Sequence, residues 1–238
     1  MKRIVMMLIR NLYYLPYALI KLRWYLAHKE RYSEEKINAF FRAICEHAVR
    51  GGNINIEIFG TENFPKENGF MIFPNHQGMF DVLALILACP YPVTVVAKKE
   101  TEKIPVLRSI LKLMGALYID REDLRQSMQV INEVAKEVKE GRNYIIFAEG
   151  TRSKNGNELL EFKGGSFKAA TKAQCPIVPV ALIDSYKAFD TGSVQKIDIK
   201  VSIQKPLSPE DYKGKKTVEI ADEVKNIIEN TIKKCNCS

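Results

Sequence analysis

Acidic residues are missing from the first 29 positions of the chain, while Lys2, Arg3, Arg10, Lys21, Arg23 and Lys29 all fall there. A long apolar run is missing too. The longest charge-free stretch of that segment, Asn11 to Ile20, has ten residues, and a membrane-spanning helix needs about 20. No small-residue cleavage site follows, which argues against a secretory signal. Cysteine is scarce and scattered: Cys45, Cys89, Cys175, Cys235 and Cys237. An odd count at irregular spacing argues against a disulfide framework and fits a reducing compartment. The terminal Cys235-Asn236-Cys237 lacks a second ligand pair, so it reads as free thiols on a frayed tail and no metal site is expected. There is no internal repeat, low-complexity tract or Gly/Ser linker, no G-x-S-x-G nucleophile motif, and only three histidines in 238 residues.

What is present is an apolar content of 46% and a net charge of +8. The first fits a globular chain with a substantial core. The second asks for an anionic partner: nucleic acid, an anionic membrane surface or a phosphorylated substrate. No nucleic-acid fingerprint accompanies the charge, and much of it sits in an apolar segment, so nucleic acid is set aside. Mixed apolar, aromatic and basic residues in positions 1–29 suit a helix lying in a membrane interface, with Trp24 and Tyr13, Tyr14, Tyr17 and Tyr25 at headgroup depth and the cations toward anionic lipid. The alternative is an amphipathic helix docked on the protein's own core. Ser33-Glu34-Glu35-Lys36 then reads as an N-cap with acids in the first turn, Ile37, Phe40, Phe41, Ile44, Cys45 and Ala48 recur at helical spacing, and Gly51-Gly52 ends the pattern. Residues 1–52 are thus expected to be a membrane-associating helical hairpin, and the protein to be peripheral or monotopic on the cytoplasmic face of the cell membrane.

From residue 54 the period changes. Ile54 to Ile58 alternates as a half-buried strand. Short apolar runs follow at Gly69–Phe73, Val93–Ala97, Ala116–Ile119, Tyr144–Ala148, Ile177–Leu182 and Ile197–Ile203. Helical stripes lie between them at Met128, Ile131, Val134, Ala135 and Val138 and over Phe167–Ala173, and another closes the chain from Val218 to Ile232. Residues 53–238 therefore predict an α/β layered fold with a largely parallel sheet flanked by helices.

Such folds bind ligands at loops leaving the carboxyl ends of strands, and the unusual residues fall there. Pro74-Asn75-His76, Lys98-Lys99, Asp120-Arg121 and Glu149-Gly150-Thr151-Arg152 each follow a strand. His76 and Asp81 are five apart, which puts them on different faces of a regular helix. They meet only if His76 lies on the turn before a helix and Asp81 in its first turns, with Gly78 allowing the bend. The carboxylate then holds one imidazole nitrogen and leaves the other as an oriented base for a hydroxyl.

Asn75-His76-Gln77-Gly78-Met79-Phe80-Asp81 resembles the N-H-x4-D block of the glycerolipid acyltransferase family, which includes the 1-acylglycerol-3-phosphate acyltransferases. Gly115 to Arg121 resembles the family's second block. Phe147-Ala148-Glu149-Gly150-Thr151-Arg152-Ser153 resembles its F-P-E-G-T-R-S block, with Ala148 in place of proline. Phe162-Lys163-Gly164 resembles the short F-K-x-G element, and Ile177 to Leu182 the fourth block. The resemblance spans residues 70–182. It implies transfer of a fatty acyl group from acyl-CoA or acyl carrier protein, as co-substrate and without a cofactor, to the sn-2 hydroxyl of lysophosphatidic acid. His76 would be the base and Asp81 its orienting partner. Arg121 and Arg152 would bind phosphate, Lys98 or Lys99 would be a third cation, and the loop Glu149, Gly150 and Thr151 would meet substrate or the oxyanion. Two alternatives stay open: a sibling enzyme acting on another lysolipid or on glycerol 3-phosphate, and a non-catalytic, membrane-docked lipid-binding protein.

Overall fold

The structure, a computed structural model, describes residues 2–236, so Cys237 lies outside the described residues. Its strands are β1 (Ile54–Phe59), β2 (Met71–Pro74), β3 (Thr94–Lys98), β4 (Leu117–Ile119), β5 (Tyr144–Ile145), β6 (Ile177–Ile183) and β7 (Ile197–Ile203). They form one sheet in the order β1-β7-β6-β2-β5-β3-β4. Every neighbouring pair is parallel except β6 and β7, where Val180 lies opposite Ile203. All residues of β2 and β6 are buried, as expected of central strands covered on both faces.

The helices are α1 (Lys2–Arg10), α2 (Leu15–Ala27), α3 (Glu34–Gly51), α4 (Asp81–Ala88), α5 (Pro105–Met114), α6 (Leu124–Lys139), α7 (Lys168–Ala173) and α8 (Thr217–Asn236). They make two layers. Leu22, Phe41, Leu85 and Leu113, from α2 to α5, share a core with Ile72, Val180 and Val201 of the sheet. On the other face Val134, Ala170 and Ile228 of α6, α7 and α8 pack with Met71, Phe73 and Ile177. Ile72 faces the first core while Met71 and Phe73 face the second, as strand alternation requires. Cys235 lies within α8, half-buried beside the second core, and is not on a frayed tail.

The N-terminal segment is helical as expected, but in three pieces. Asn11 interrupts the first helix: its side-chain amide donates to the carbonyls of Met7 (2.8 Å) and His47 (3.0 Å), fastening the turn to α3. Arg3 is fully buried rather than facing lipid. It donates to the carbonyls of Gly52 (2.6 Å) and Gln195 (2.8 Å), a cation placed on the negative end of α3. Ser33 caps α3 by accepting from the Lys36 N–H. The left-handed residue after α3 is Asn53 (φ 55°), not a glycine. α1 and α2 dock inward through Met7, Leu22 and Tyr25, while Ile9, Leu12, Tyr13, Tyr17, Ile20 and Trp24 remain at least half exposed. Tyr17, Ile20 and Trp24 recur at helical spacing on α2, so they form one outer stripe, with Tyr13 exposed on the turn before it.

Candidate active site

β2, β5, β3 and β4 are adjacent and parallel, so their carboxyl ends open on one edge of the sheet. β2 stops at Pro74. Beyond it the Asn75 side chain pairs both ways with Leu182, its amide donating to the carbonyl at 2.9 Å and its oxygen accepting from the N–H at 2.7 Å. This carries the loop past the end of the ladder and fixes its exit. Asp81 is the first residue of α4, so His76 stands on the turn before the helix, as the spacing requires. Gly78 has no left-handed φ. It is small because the chain passes close: a Cβ there would lie 3.1 Å from the Asp190 carboxylate.

The Asp81 carboxylate is buried and fully engaged. Oδ2 lies 2.8 Å from His76 Nδ1 and accepts from the N–H groups of Gln77 (2.7 Å) and Gly78 (2.9 Å). Oδ1 accepts from the Ser185 hydroxyl at 2.5 Å. With Nδ1 held, Nε2 is the free nitrogen of an imidazole that keeps 22% of its surface exposed. One ring face stacks on Phe147, centroids 4.0 Å apart.

Glu149 is a brace. It is buried, and its two oxygens accept from the N–H groups of His76 (2.7 Å) and Leu160 (3.0 Å). Burial raises its pKa, and those two bonds oppose the shift. Ser153 N–H donates to the His76 carbonyl at 2.8 Å. The E-G-T-R-S loop is thus tied to both sides of the His76 peptide, which places Arg152 beside it. The Gly150 N–H is taken by the Phe147 carbonyl (3.1 Å). The N–H groups of Thr151 and Arg152 make no hydrogen bond among the described residues.

The cations divide into two sets. Lys98 pairs with Glu100 at 3.1 Å and Lys99 with Asp120 at 3.3 Å, both exposed. Arg121, Arg152 and Lys163 form no hydrogen bond or salt bridge with a described side chain. Desolvation lowers the Arg121 pKa, and Glu100 opposes that shift. Gly150 sits where two of these cations meet. A Cβ on it would lie 3.1 Å from Lys163 Nζ and 3.5 Å from Arg121 Nη1. Sequence reasoning gave no role to Lys163, though it lies in the F-K-x-G element, nor to Ser185, which is 104 residues from Asp81 and has no local signal. Among the described residues no three His, Cys, Asp or Glu side chains cluster as a metal site would need.

A family model described as Acyltransferase matches residues 55–183, more than half of the chain. The chain belongs to the acyltransferase family. It is similar to the 1-acyl-sn-glycerol-3-phosphate acyltransferase of Borreliella burgdorferi, 32% identical over 62% of this chain and 59% of that one. It is 30% identical to the enzyme of that name from Saccharomyces cerevisiae, over 78% of this chain and 62% of the relative. The chain therefore spans about three fifths of the length of these curated relatives. The crystal structure of the 1-acyl-sn-glycerophosphate (LPA) acyltransferase PlsC from Thermotoga maritima superposes with a TM-score of 0.79, covering 99% of this chain and 98% of that one at 20% identity. The α/β sandwich and its N-terminal helices are thus a shared fold.

Proposed function

We propose that this acyltransferase moves a fatty acyl group from acyl-CoA or acyl carrier protein to the sn-2 hydroxyl of lysophosphatidic acid, giving phosphatidic acid for phospholipid synthesis. The observation that carries the reading is the His76 imidazole held by the buried Asp81 carboxylate, beside a loop where Arg121 and Lys163 meet at Gly150 with no salt bridge among the described residues. Nε2 of His76 takes the hydroxyl proton, and the oxygen attacks the thioester carbonyl. The C–S bond then breaks. The thiolate leaves as a weak base, since a simple thiol has a pKa of about 8.5, and it collects the proton from the imidazolium. The unbonded N–H groups of Thr151 and Arg152 are the loop donors left to face the oxyanion. The reaction is direct. Burial pushes the thiols of Cys45, Cys89 and Cys175 up to about 12, which leaves them inert as nucleophiles. The test is acyl transfer measured with lysophosphatidic acid against a panel of lysolipids and glycerol 3-phosphate, using both donor types. No transfer to lysophosphatidic acid from either donor rejects the assignment.

Arg152 then reads phosphate. A hydrogen bond to a charged group is worth about 1.5–3 kcal/mol, so Arg152→Ala should lower kcat/KM for lysophosphatidic acid by roughly 10- to 150-fold. Arg152→Lys should recover only part, because a point charge lacks the guanidinium fork. With monoacylglycerol, which has no phosphate, the variant should match the parent. Equal losses on both acceptors would assign Arg152 to the loop or the donor instead.

Docking on an anionic membrane surface at the cytoplasmic face is part of this reading, and the exposed apolar side chains of α1, α2 and the turn between them support it. No helix among the described residues is long and apolar enough to cross a bilayer. Among the described residues, nine of the seventeen exposed large apolar side chains lie between Val5 and Trp24, a density that suits interfacial insertion. Replacing Leu12, Ile20 and Trp24 together with serine leaves the buried face untouched. It should weaken binding to anionic vesicles by roughly 10- to 100-fold, and high salt should weaken the parent's binding. Unchanged vesicle flotation of the triple variant rejects this placement.

A further inference from the structure

We propose that Lys163, rather than Lys98 or Lys99, is the point charge that joins Arg121 in holding the acceptor's phosphate, at the side-chain-free face of Gly150. The proposal rests on the acyl-transfer reading above and adds a residue to it. Lys163 Nζ and Cε lie 3.1 and 3.3 Å, and Arg121 Nη1 3.5 Å, from the point where a Gly150 Cβ would stand. Gly150 has φ +76°, a conformation in which a side chain would be strained, and any Cβ would occupy the space both cations border.

Two cations brought to one point repel each other. Among the described residues neither makes a hydrogen bond or salt bridge to a carboxylate, although Glu100 acts on Arg121 through space, whereas Lys98 and Lys99 are already paired with Glu100 and Asp120. A phosphate between Lys163 and Arg121 turns that repulsion into attraction, its oxygens meeting a fork on one side and a point charge on the other. The root of Lys163 is fixed as well: its N–H donates to the Ala148 carbonyl at 2.9 Å and its carbonyl accepts from Ser166 N–H at 2.9 Å. The side chain therefore springs from beside the loop that follows β5, next to the Glu149 that braces His76.

The acceptor's phosphate, not the donor's, belongs here. In lysophosphatidic acid the reacting hydroxyl is on the carbon next to the one bearing the phosphate. A phosphate on Gly150 therefore keeps the hydroxyl near His76. The donor's phosphates are separated from the thioester by the whole pantetheine arm.

The test compares Lys163→Met with Lys98→Met and Lys99→Met. Lys163→Met should raise KM for lysophosphatidic acid by about 10- to 100-fold and leave KM for the acyl donor within about threefold, while the other two variants change the acceptor KM far less. Lys163→Arg should restore most of the acceptor affinity. A rise in donor KM on Lys163→Met, or an acceptor defect confined to Lys98→Met or Lys99→Met, overturns the proposal. If the parent transfers no acyl group to lysophosphatidic acid, the functional reading fails on its own. Titration with inorganic phosphate, followed by phosphorus NMR, then decides this site. Binding by the parent that is lost in Lys163→Met supports it. No binding, or binding of equal strength in both, overturns it.

Discussion

Replacing His76 with alanine is expected to lower kcat by about 10²- to 10⁴-fold with little effect on folding. The reason is how little of the structure depends on the ring. Its one side-chain hydrogen bond goes to Asp81, and its one ring contact is the stack on Phe147. The backbone bonds to Glu149 and Ser153 survive the substitution. Asp81 keeps three donors, Gln77 N–H, Gly78 N–H and the Ser185 hydroxyl, so no bare carboxylate is left in the core. Loss of stability should therefore stay within about 2 kcal/mol, read as a shift in Tm. The chemical step has no other free base at the same place, since both oxygens of Glu149 are engaged. Adding Asp81→Asn to His76→Ala should slow the enzyme no further, because the two act as a unit. A His76→Ala enzyme within tenfold of the parent at saturating substrates, or a double variant showing the product of the two losses, contradicts the base assignment.

The parts of this site that could be read from the chain are those whose partners are close in sequence. His76 and Asp81 are five residues apart at one strand–helix junction, so the spacing together with the end of the apolar run puts His76 on the turn and Asp81 in the helix. β7 runs over Ile197–Ile203, the span of the apolar run expected there. The stripe from Met128 to Val138 lies within α6. α5 was absent from the expected elements although Pro105 at its start and Gly115 (φ +71°) at its end are local signals. Other features have no local cause. The break at Asn11 depends on the His47 carbonyl, 36 residues away. The antiparallel pairing of β7 with β6 depends on chain topology, which a strand's own pattern does not carry. Whether Lys99 faces substrate or a carboxylate is decided by the pairing of β3 with β4, which brings Asp120 within 3.3 Å. The Ser185 bond and the meeting of Lys163 with Arg121 are tertiary in the same way.

Asp81→Asn should cost about 10²- to 10³-fold in kcat, less than His76→Ala at its upper limit, and the reason lies in which way the new amide must point. In a catalytic triad an asparagine at this position can turn its NH₂ to the imidazole and force the wrong tautomer, a loss of about 10⁴. Here that orientation is blocked. An NH₂ at the Oδ2 position would face two backbone donors, the N–H groups of Gln77 and Gly78 at 2.7 and 2.9 Å. The amide oxygen therefore stays there and His76 keeps its proton on Nδ1. The NH₂ takes the Oδ1 position, opposite a Ser185 hydroxyl that can rotate to accept from it. What disappears is the negative charge that stabilises the imidazolium formed when the hydroxyl loses its proton. Breaking a buried charge pair costs about 3–5 kcal/mol, and the low end of that range corresponds to the expected factor. Ser185 supplies the decisive control. Ser185→Ala alone should cost less than about tenfold, because Asp81 retains its two backbone donors. In the Asp81→Asn background the same change strands a buried NH₂ and removes what fixes the amide, so the combined loss should exceed the product of the single losses. Simple additivity of the two substitutions, or an Asp81→Asn enzyme as slow as one with the tautomer inverted, would show that Ser185 does not set the orientation of residue 81.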